Sequence, residues 1–127
     1  MTNKELCWLA GLLEGEGCFL LATSRALGRL YLHPRIDLAM TDKDIVVKVA
    51  TLFGGSFRLQ KYSITKQRGY KPVWKTSSYS SKAAALMLSL YPLLGKRRRK
   101  KINEILKEWQ RTRSRPWGKR NQGKVKT

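Results

Sequence analysis

The sequence predicts an α+β fold in which one antiparallel four-stranded sheet carries helices on one face. Three observations lead there. Apolar residues repeat at helical spacing in some stretches and at period two in others, and these stretches alternate in the order helix, strand, strand, helix, strand, strand, helix (αββαββα), with a last amphipathic helix behind them. Glycines and capping residues punctuate the boundaries. At 127 residues and 42% hydrophobic composition, the chain suits one domain with one core.

Thr2 and Glu5 have the spacing of a capping box, and the apolar run from Leu6 to Leu13 continues the first helix until Gly15 and Gly17 stop it. No charge interrupts Cys7 to Leu13, so this helix has no face made for water and needs cover that a small domain gives on one side only. From Cys18 the period changes to two. Phe19, Leu21 and Thr23 share one face; beyond Gly28, Ile36, Leu38 and Met40 point inward while His33, Arg35, Asp37 and Ala39 point outward, which makes a hairpin.

Thr41 and Asp44 offer a cap for a second helix with Ile45, Val49, Leu52 and Phe53 on its apolar face, ended by Gly54 and Gly55. A second hairpin follows. Phe57 and Leu59 alternate with Arg58 and Gln60, and Val73, Lys75 and Ser77 alternate with Trp74, Thr76 and Ser78, around a loop at Gln67, Arg68 and Gly69 expected to be mobile. Ser80 or Ser81 caps a third helix bearing Ala83, Leu86, Met87 and Leu90, which Pro92 closes, and Ile102, Ile105, Leu106 and Trp109 mark the last helix. The domain is expected over residues 1–111, with a flexible basic tail over 112–127.

Against 27 Lys and Arg stand 8 Asp and Glu, a net charge of +19, so the default partner is a polyanion, nucleic acid first. A ribosomal-type protein or a protein held on anionic membrane would share that charge. No apolar run reaches spanning length, which argues against a membrane protein. Cys7 and Cys18 lie in apolar runs without CxxC spacing, so buried free thiols in an intracellular, reducing compartment are expected rather than zinc ligands or a disulfide. Six consecutive cations, Lys96 to Lys101, open the last helix, where the macrodipole is already positive and only an anion relieves the repulsion. Residues 96–127 hold 14 of the 27 basic residues, so this end is assigned affinity rather than specificity. The outward strand residues His33, Arg35, Arg58, Gln60 and Lys75 have the chemistry of a surface laid in a DNA groove, although a solvated sheet face would read the same.

Residues 9–17 read Leu-Ala-Gly-Leu-Leu-Glu-Gly-Glu-Gly, and here the sequence resembles the LAGLIDADG homing endonucleases of the single-motif type. Leu9, Ala10, Gly11, Leu12 and Gly17 match the namesake motif, Leu13, Glu14 and Glu16 replace it conservatively, and Gly15 stands where the name has alanine. Gly11 and Gly15 lie four apart with Ala10 beside them, so two such helices can approach closely. With one motif in the chain, the resemblance implies a homodimer about a two-fold axis, with Trp8, Ala10, Gly11, Glu14 and Gly15 at its interface.

The same resemblance implies a sequence-specific nuclease acting on double-stranded DNA at a near-palindromic site. Glu16 is then the metal-binding acid with the Gly15 carbonyl as a further ligand, for Mg²⁺ or another divalent ion such as Mn²⁺ or Ca²⁺. Glu14 is structural. Lys96 and Asp42 are the nearest matches to a basic and a polar residue around the attacking water, with Arg97 or Arg98 able to take the basic role after a shift, and His33 is a general base or, better placed, a DNA contact. Arg35, Asp37, Arg58, Gln60 and Lys75 are assigned to base edges; Ser24, Arg25, Arg29, Lys61, Arg68, Lys71, Lys96 and Arg97 complete the expected DNA surface, the basic ones among them at phosphates. Rival readings keep the fold without the cutting, as an RNA maturase bound to intron RNA or a DNA-binding regulator; a basic structural protein of a ribonucleoprotein explains the charge but not a GxxxG helix ending in a carboxylate.

Overall fold

The computed structural model describes residues 1–60, 69 and 71–113. The elements are α1 (Asn3–Glu16), β1 (Gly17–Ala26), β2 (Arg29–Met40), α2 (Lys43–Phe53), β3 (Phe57–Leu59), β4 (Trp74–Tyr79), α3 (Ser80–Leu90), a 3-10 turn (Tyr91–Leu93) and α4 (Lys96–Arg113). The four strands form one antiparallel sheet in the order β1-β2-β4-β3. The predicted α+β class and topology therefore hold.

Each boundary has a local cause. The Thr2 hydroxyl accepts from Glu5 N–H at 3.0 Å while the Glu5 carboxylate accepts from Thr2 N–H at 2.8 Å, closing the capping box. Helix α2 starts after Asp42 rather than at the expected Thr41 and Asp44, and no side chain caps it; its end is as read, with Gly54 at φ 72 closing onto Ala50. At α3, Tyr79 occupies the cap position without a side-chain cap bond and Ser80 takes φ 56, so neither serine supplies the predicted cap.

Leu9, Leu13, Phe19, Ile36, Leu38, Val46, Val49, Met87, Leu90 and Ile102 form one core between the inner sheet face and the helices. Burial of these side chains is the main stabilising term, each contributing roughly 1.5–3 kcal/mol. The inward assignments of Phe19, Ile36 and Leu38 hold, whereas Thr23, Phe57 and Leu59 are exposed. Their elements explain it: Thr23 lies where the β1–β2 ribbon runs on beyond the β2–β4 ladder, and β3 is a three-residue edge strand. Pro34 is fully buried in β2, one residue before pairing with β4 begins at Arg35, so its missing N–H interrupts no β2–β4 bond. Helix α4 continues to Arg113, two residues past the expected domain end; the rest of the proposed tail, the loop at Gln67 and the DNA-contact residues Lys61 and Arg68 lie outside the described residues.

Cys7 and Cys18 are both exposed, not buried as their apolar neighbours suggested. Cys7 is on the uncovered side of α1, and Cys18 on the outward side of β1 opposite Asp37. No helix among the described residues is long and apolar enough to cross a membrane.

Candidate nuclease site and nucleic-acid interface

Helix α1 has two unlike sides. Leu9, Ala10 and Leu13 are buried against the protomer's own core. Cys7, Gly11 and Gly15 form an exposed stripe, and a Cβ added at Gly11 or Gly15 would meet nothing within 4 Å among the described residues. The stripe is the uncovered side of the helix, and Ala10, 2% exposed, is not on it, contrary to the expectation that placed it at an interface. Trp8 sits at the margin, half-buried, with the Lys48 ammonium 4.0 Å from its ring centroid.

The C-terminal end of α1 is tied to the start of α4. Glu14 accepts a hydrogen bond from Gly95 N–H at 2.7 Å, and its backbone carbonyl accepts from the Arg98 guanidinium at 3.1 Å. Arg98 also lies over the Phe19 ring at 5.7 Å. Glu14 thus has the structural role expected of it, made within the protomer, and Arg98 spends its guanidinium on this joint. Lys96 and Arg97 stay exposed beside the joint. Lys96 and Arg97 thus lie, with exposed side chains, near the end of α1 that carries Gly15 and Glu16.

Glu16 is exposed at the last position of α1, where no basic residue stands in the final turn. A carboxylate at the negative end of a helix macrodipole is unfavourable without a cation, and its oxygen chemistry fits a hard divalent ion. Among the described residues no group of three His, Cys, Asp or Glu side chains gathers in one protomer. Asp42 lies at the same end of the sheet, because Gly17 pairs with Leu38 and Asp42 follows four residues on; its side chain is exposed and caps nothing.

Gly17 fixes where Glu16 emerges. It is buried, its φ of -82 is ordinary, and a Cβ there would lie 2.9 Å from the Leu13 carbonyl oxygen and 2.7 Å from a Leu13 methyl. The requirement is space, not backbone freedom. Gly17→Ala is expected to destabilise the protein by about 1–3 kcal/mol, read as a lower urea midpoint; an unchanged midpoint would mean that the helix end relaxes freely.

The outward sheet face collects Ser24, Arg29, His33, Arg35 and Asp37 from the first hairpin and Arg58, Lys75, Ser77 and Tyr79 from the second. Arg25 is exposed near the hairpin tip on the opposite face; Gln60 and Lys71 are exposed beside the second hairpin, Gln60 N–H bonding the Val73 carbonyl at 2.8 Å. Arg58 and Lys75 are directly opposite one another across β3 and β4. Like charges in that position repel, and an anion between them reverses the sign of the interaction.

Asp37 departs from its expected part. Its Oδ1 accepts from Arg35 Nε at 2.7 Å and from the Ser77 hydroxyl at 2.6 Å, so one of its two oxygens is already engaged within the sheet. Burial alone would raise its pKa, but the bonds from Arg35 and Ser77, with the charges of Arg35 and Lys75, outweigh that and hold the carboxyl below its ordinary 3.8. A depressed folded pKa contributes stability that is present above the unfolded value and lost as pH falls through the folded one. Asp37→Asn is therefore expected to cost about 1.5–3 kcal/mol at neutral pH, with the difference in urea midpoint shrinking below pH 3.8. A difference independent of pH would point to packing instead of charge.

Tyr79 is a face residue that sequence reading passed over, and Ser77, set on the Lys75 side by alternation, was given no part. Tyr79 lies opposite Arg35, with the guanidinium carbon 5.6 Å from its ring centroid, and 6.3 Å from the His33 ring. Extending the β4 alternation one residue past Ser78 would have found it.

No protein-family model and no curated protein sequence matches this chain. Solved structures do. The homing endonuclease I-CvuI, in complex with DNA in the presence of Mg, superposes with a TM-score of 0.60 at 14% identity over 88% of this chain and 71% of that one. The homing endonuclease I-TnaI gives 0.56 at 13% over 85% and 73%. The LAGLIDADG homing endonuclease I-LtrWI, bound to target DNA, gives 0.60 at 17% over 91% of this chain and 39% of that one. The chain thus spans about seven-tenths of the first two and under two-fifths of the third. Four-stranded sheet, helices on one face and a first helix ending in Leu9–Glu16 together give this chain the fold of the LAGLIDADG homing endonucleases.

Proposed function

We propose that the chain is a sequence-specific DNA endonuclease of the LAGLIDADG type, a homodimer that makes a Mg²⁺-dependent double-strand break at a near-palindromic site. The observation that carries this reading is the bare Gly11–Gly15 stripe of α1, which runs directly into an exposed Glu16 beside the cationic start of α4. Packing two such stripes together about a two-fold axis covers the uncharged side of both helices and brings two Glu16 carboxylates toward one another. Two carboxylates so placed hold a hard cation. Glu16 and the Gly15 carbonyl would bind the ion, which when present neutralises charge on the scissile phosphate and acidifies water.

The residues of the chain supply the rest. Arg58, Lys75 and the cations from Lys96 onward attract and orient the phosphate backbone, the outward sheet face lies against base edges, and Lys96 or Arg97 stands where negative charge develops. The neighbours crystallised with DNA lend weight to this partner, and those with Mg or Ca to the class of metal. An intron or intein origin follows from the type alone.

The test is incubation of the full chain with a randomised, two-fold symmetric DNA library in Mg²⁺, followed by sequencing of cut ends. Enriched symmetric sites with paired overhangs support the reading. Tight binding of DNA or of structured intron RNA without cutting would overturn it in favour of a maturase or a regulator.

A further inference from the structure

Four residues in the middle of the outward sheet face form a closed arrangement that a merely solvated face does not need. Arg35 and Asp37 stand two apart on β2, and their cross-strand partners on β4 are Tyr79 and Ser77. The Ser77 hydroxyl holds Asp37, Asp37 holds Arg35 through Nε, and the Tyr79 ring flanks the guanidinium. The Arg35 and Asp37 side chains are 27% and 16% exposed, so the pair is partly withdrawn from water and more rigid than a surface ion pair.

This arrangement leaves particular atoms on offer. A guanidinium carries five N–H donors, and the bond to Asp37 uses the one on Nε. Among the described residues no acceptor is bonded to either terminal nitrogen of Arg35. Those two nitrogens present parallel donors whose spacing matches either a phosphate or the O6 and N7 acceptors of guanine.

Charge decides between these two. A phosphate brought to Arg35 would also approach the Asp37 carboxylate, and the pair, having no net charge, attracts a polyanion little. Further cations lie outside the pair, with Arg58 opposite Lys75 on β3 and β4, and Lys96 and Arg97 at the start of α4. A neutral, pre-aimed fork in the middle of the face suits a base edge, where direction matters more than charge.

We infer that Arg35 reads one guanine in each half of the DNA site, and that Asp37 is the positioning residue that aims it. The inference rests on the nuclease reading above and adds to it the base and the atoms recognised. Asp37 is thereby moved from the set of base-reading residues to the group that orients one of them. Ser77 acts through Asp37, and Tyr79 keeps the fork in plane.

The experiment is a binding selection with the full chain in Ca²⁺, using duplexes randomised symmetrically in both halves, followed by competition between selected sites. The unmodified protein should fix a guanine at one position in each half. Arg35→Ala should lower discrimination at that position by on the order of 10- to 100-fold and change the others little. Asp37→Asn should weaken the preference at the same position while its affinity for random DNA stays the same or rises with the loss of one carboxylate, a separation that general loosening of the sheet would not produce.

If Arg35→Ala does not fold, the unmodified protein decides the matter on duplexes carrying 7-deazaguanine, which lacks the N7 acceptor. Weaker binding of that analogue at the fixed position supports the inference. A selected site with no guanine whose preference depends on Arg35, or one indifferent to loss of N7, overturns the inference and leaves the nuclease reading standing. Enrichment of no sequence at all removes site-specific recognition, and with it both.

Discussion

Glu16→Gln is expected to lower DNA strand cleavage in Mg²⁺ by at least on the order of 10²- to 10³-fold, the range for removing one preorganised group that stabilises transition-state charge. The substitution keeps size and hydrogen bonding but removes the charge that would hold the ion. Glu16 is exposed and its carboxylate supports no part of the core, so the protein should melt normally. DNA affinity measured in a chelator should stay the same or rise, because a carboxylate facing phosphates repels them when no metal intervenes. Normal cutting by the variant would remove Glu16 from the reaction. Loss of binding together with cutting would assign it to docking.

Gly11→Leu should separate the protomer from the assembly. A Cβ at this exposed position meets nothing within 4 Å among the described residues of its own chain, and leucine is a better helix former than glycine by up to about 1 kcal/mol. The isolated protomer is therefore expected to fold at least as well. Between two α1 helices the same side chain forces the backbones apart and misplaces both Glu16 residues. Displacements of that order cost on the order of 100-fold in rate. Sedimentation should show the parent as a dimer and the variant as a folded monomer, with double-strand cutting reduced accordingly. A variant that still dimerises would place the partner surface on another face.

Much of the fold was legible because the chain writes its burial in simple periods. Ile36 and Leu38 alternate with Arg35 and Asp37, and Leu9 and Leu13 repeat one turn apart; the core took both sets as read. The errors fall where burial depends on what lies across space. Cys7 and Cys18 sit in apolar runs, yet one lies on the uncovered side of α1 and the other on the sheet's outer face. Ala10 adjoins Gly11 in sequence but is turned by about 100° around the helix, which carries it into the core. Phe57 and Leu59 alternate correctly on a strand too short and too close to the edge to be covered.

The candidate site was legible only where its residues are close in sequence. Residues 9–17 announced themselves by composition and spacing, and Glu14 was read as structural from its place in that run. Its partners, Gly95 and Arg98, are 81 and 84 residues away, a closure that no local pattern records. The Asp37 bonds to Arg35 and Ser77 depend likewise on the register of β2 against β4. A charged residue on an outward strand position looks available in sequence whether or not a neighbouring strand has already engaged it.

Strand β2 is held differently along its length. From Arg35 to Leu38 it has a neighbour on each side, whereas from Arg29 to Pro34 its only partner among the described residues is β1, and the turn between them sets a 97%-exposed Leu27 at φ 53. The inner half shares its backbone bonds with two ladders and has Ile36 and Leu38 in the core. The outer half is a two-stranded ribbon, a form that twists more than a full sheet and opens at lower free energy. Amide protons should therefore exchange in order along this one strand, those near the tip first and those at Ile36 and Leu38 last. A surface laid along a helical polymer has to be stiff where it fixes register and compliant where it follows curvature, and β2 joins the two at Pro34.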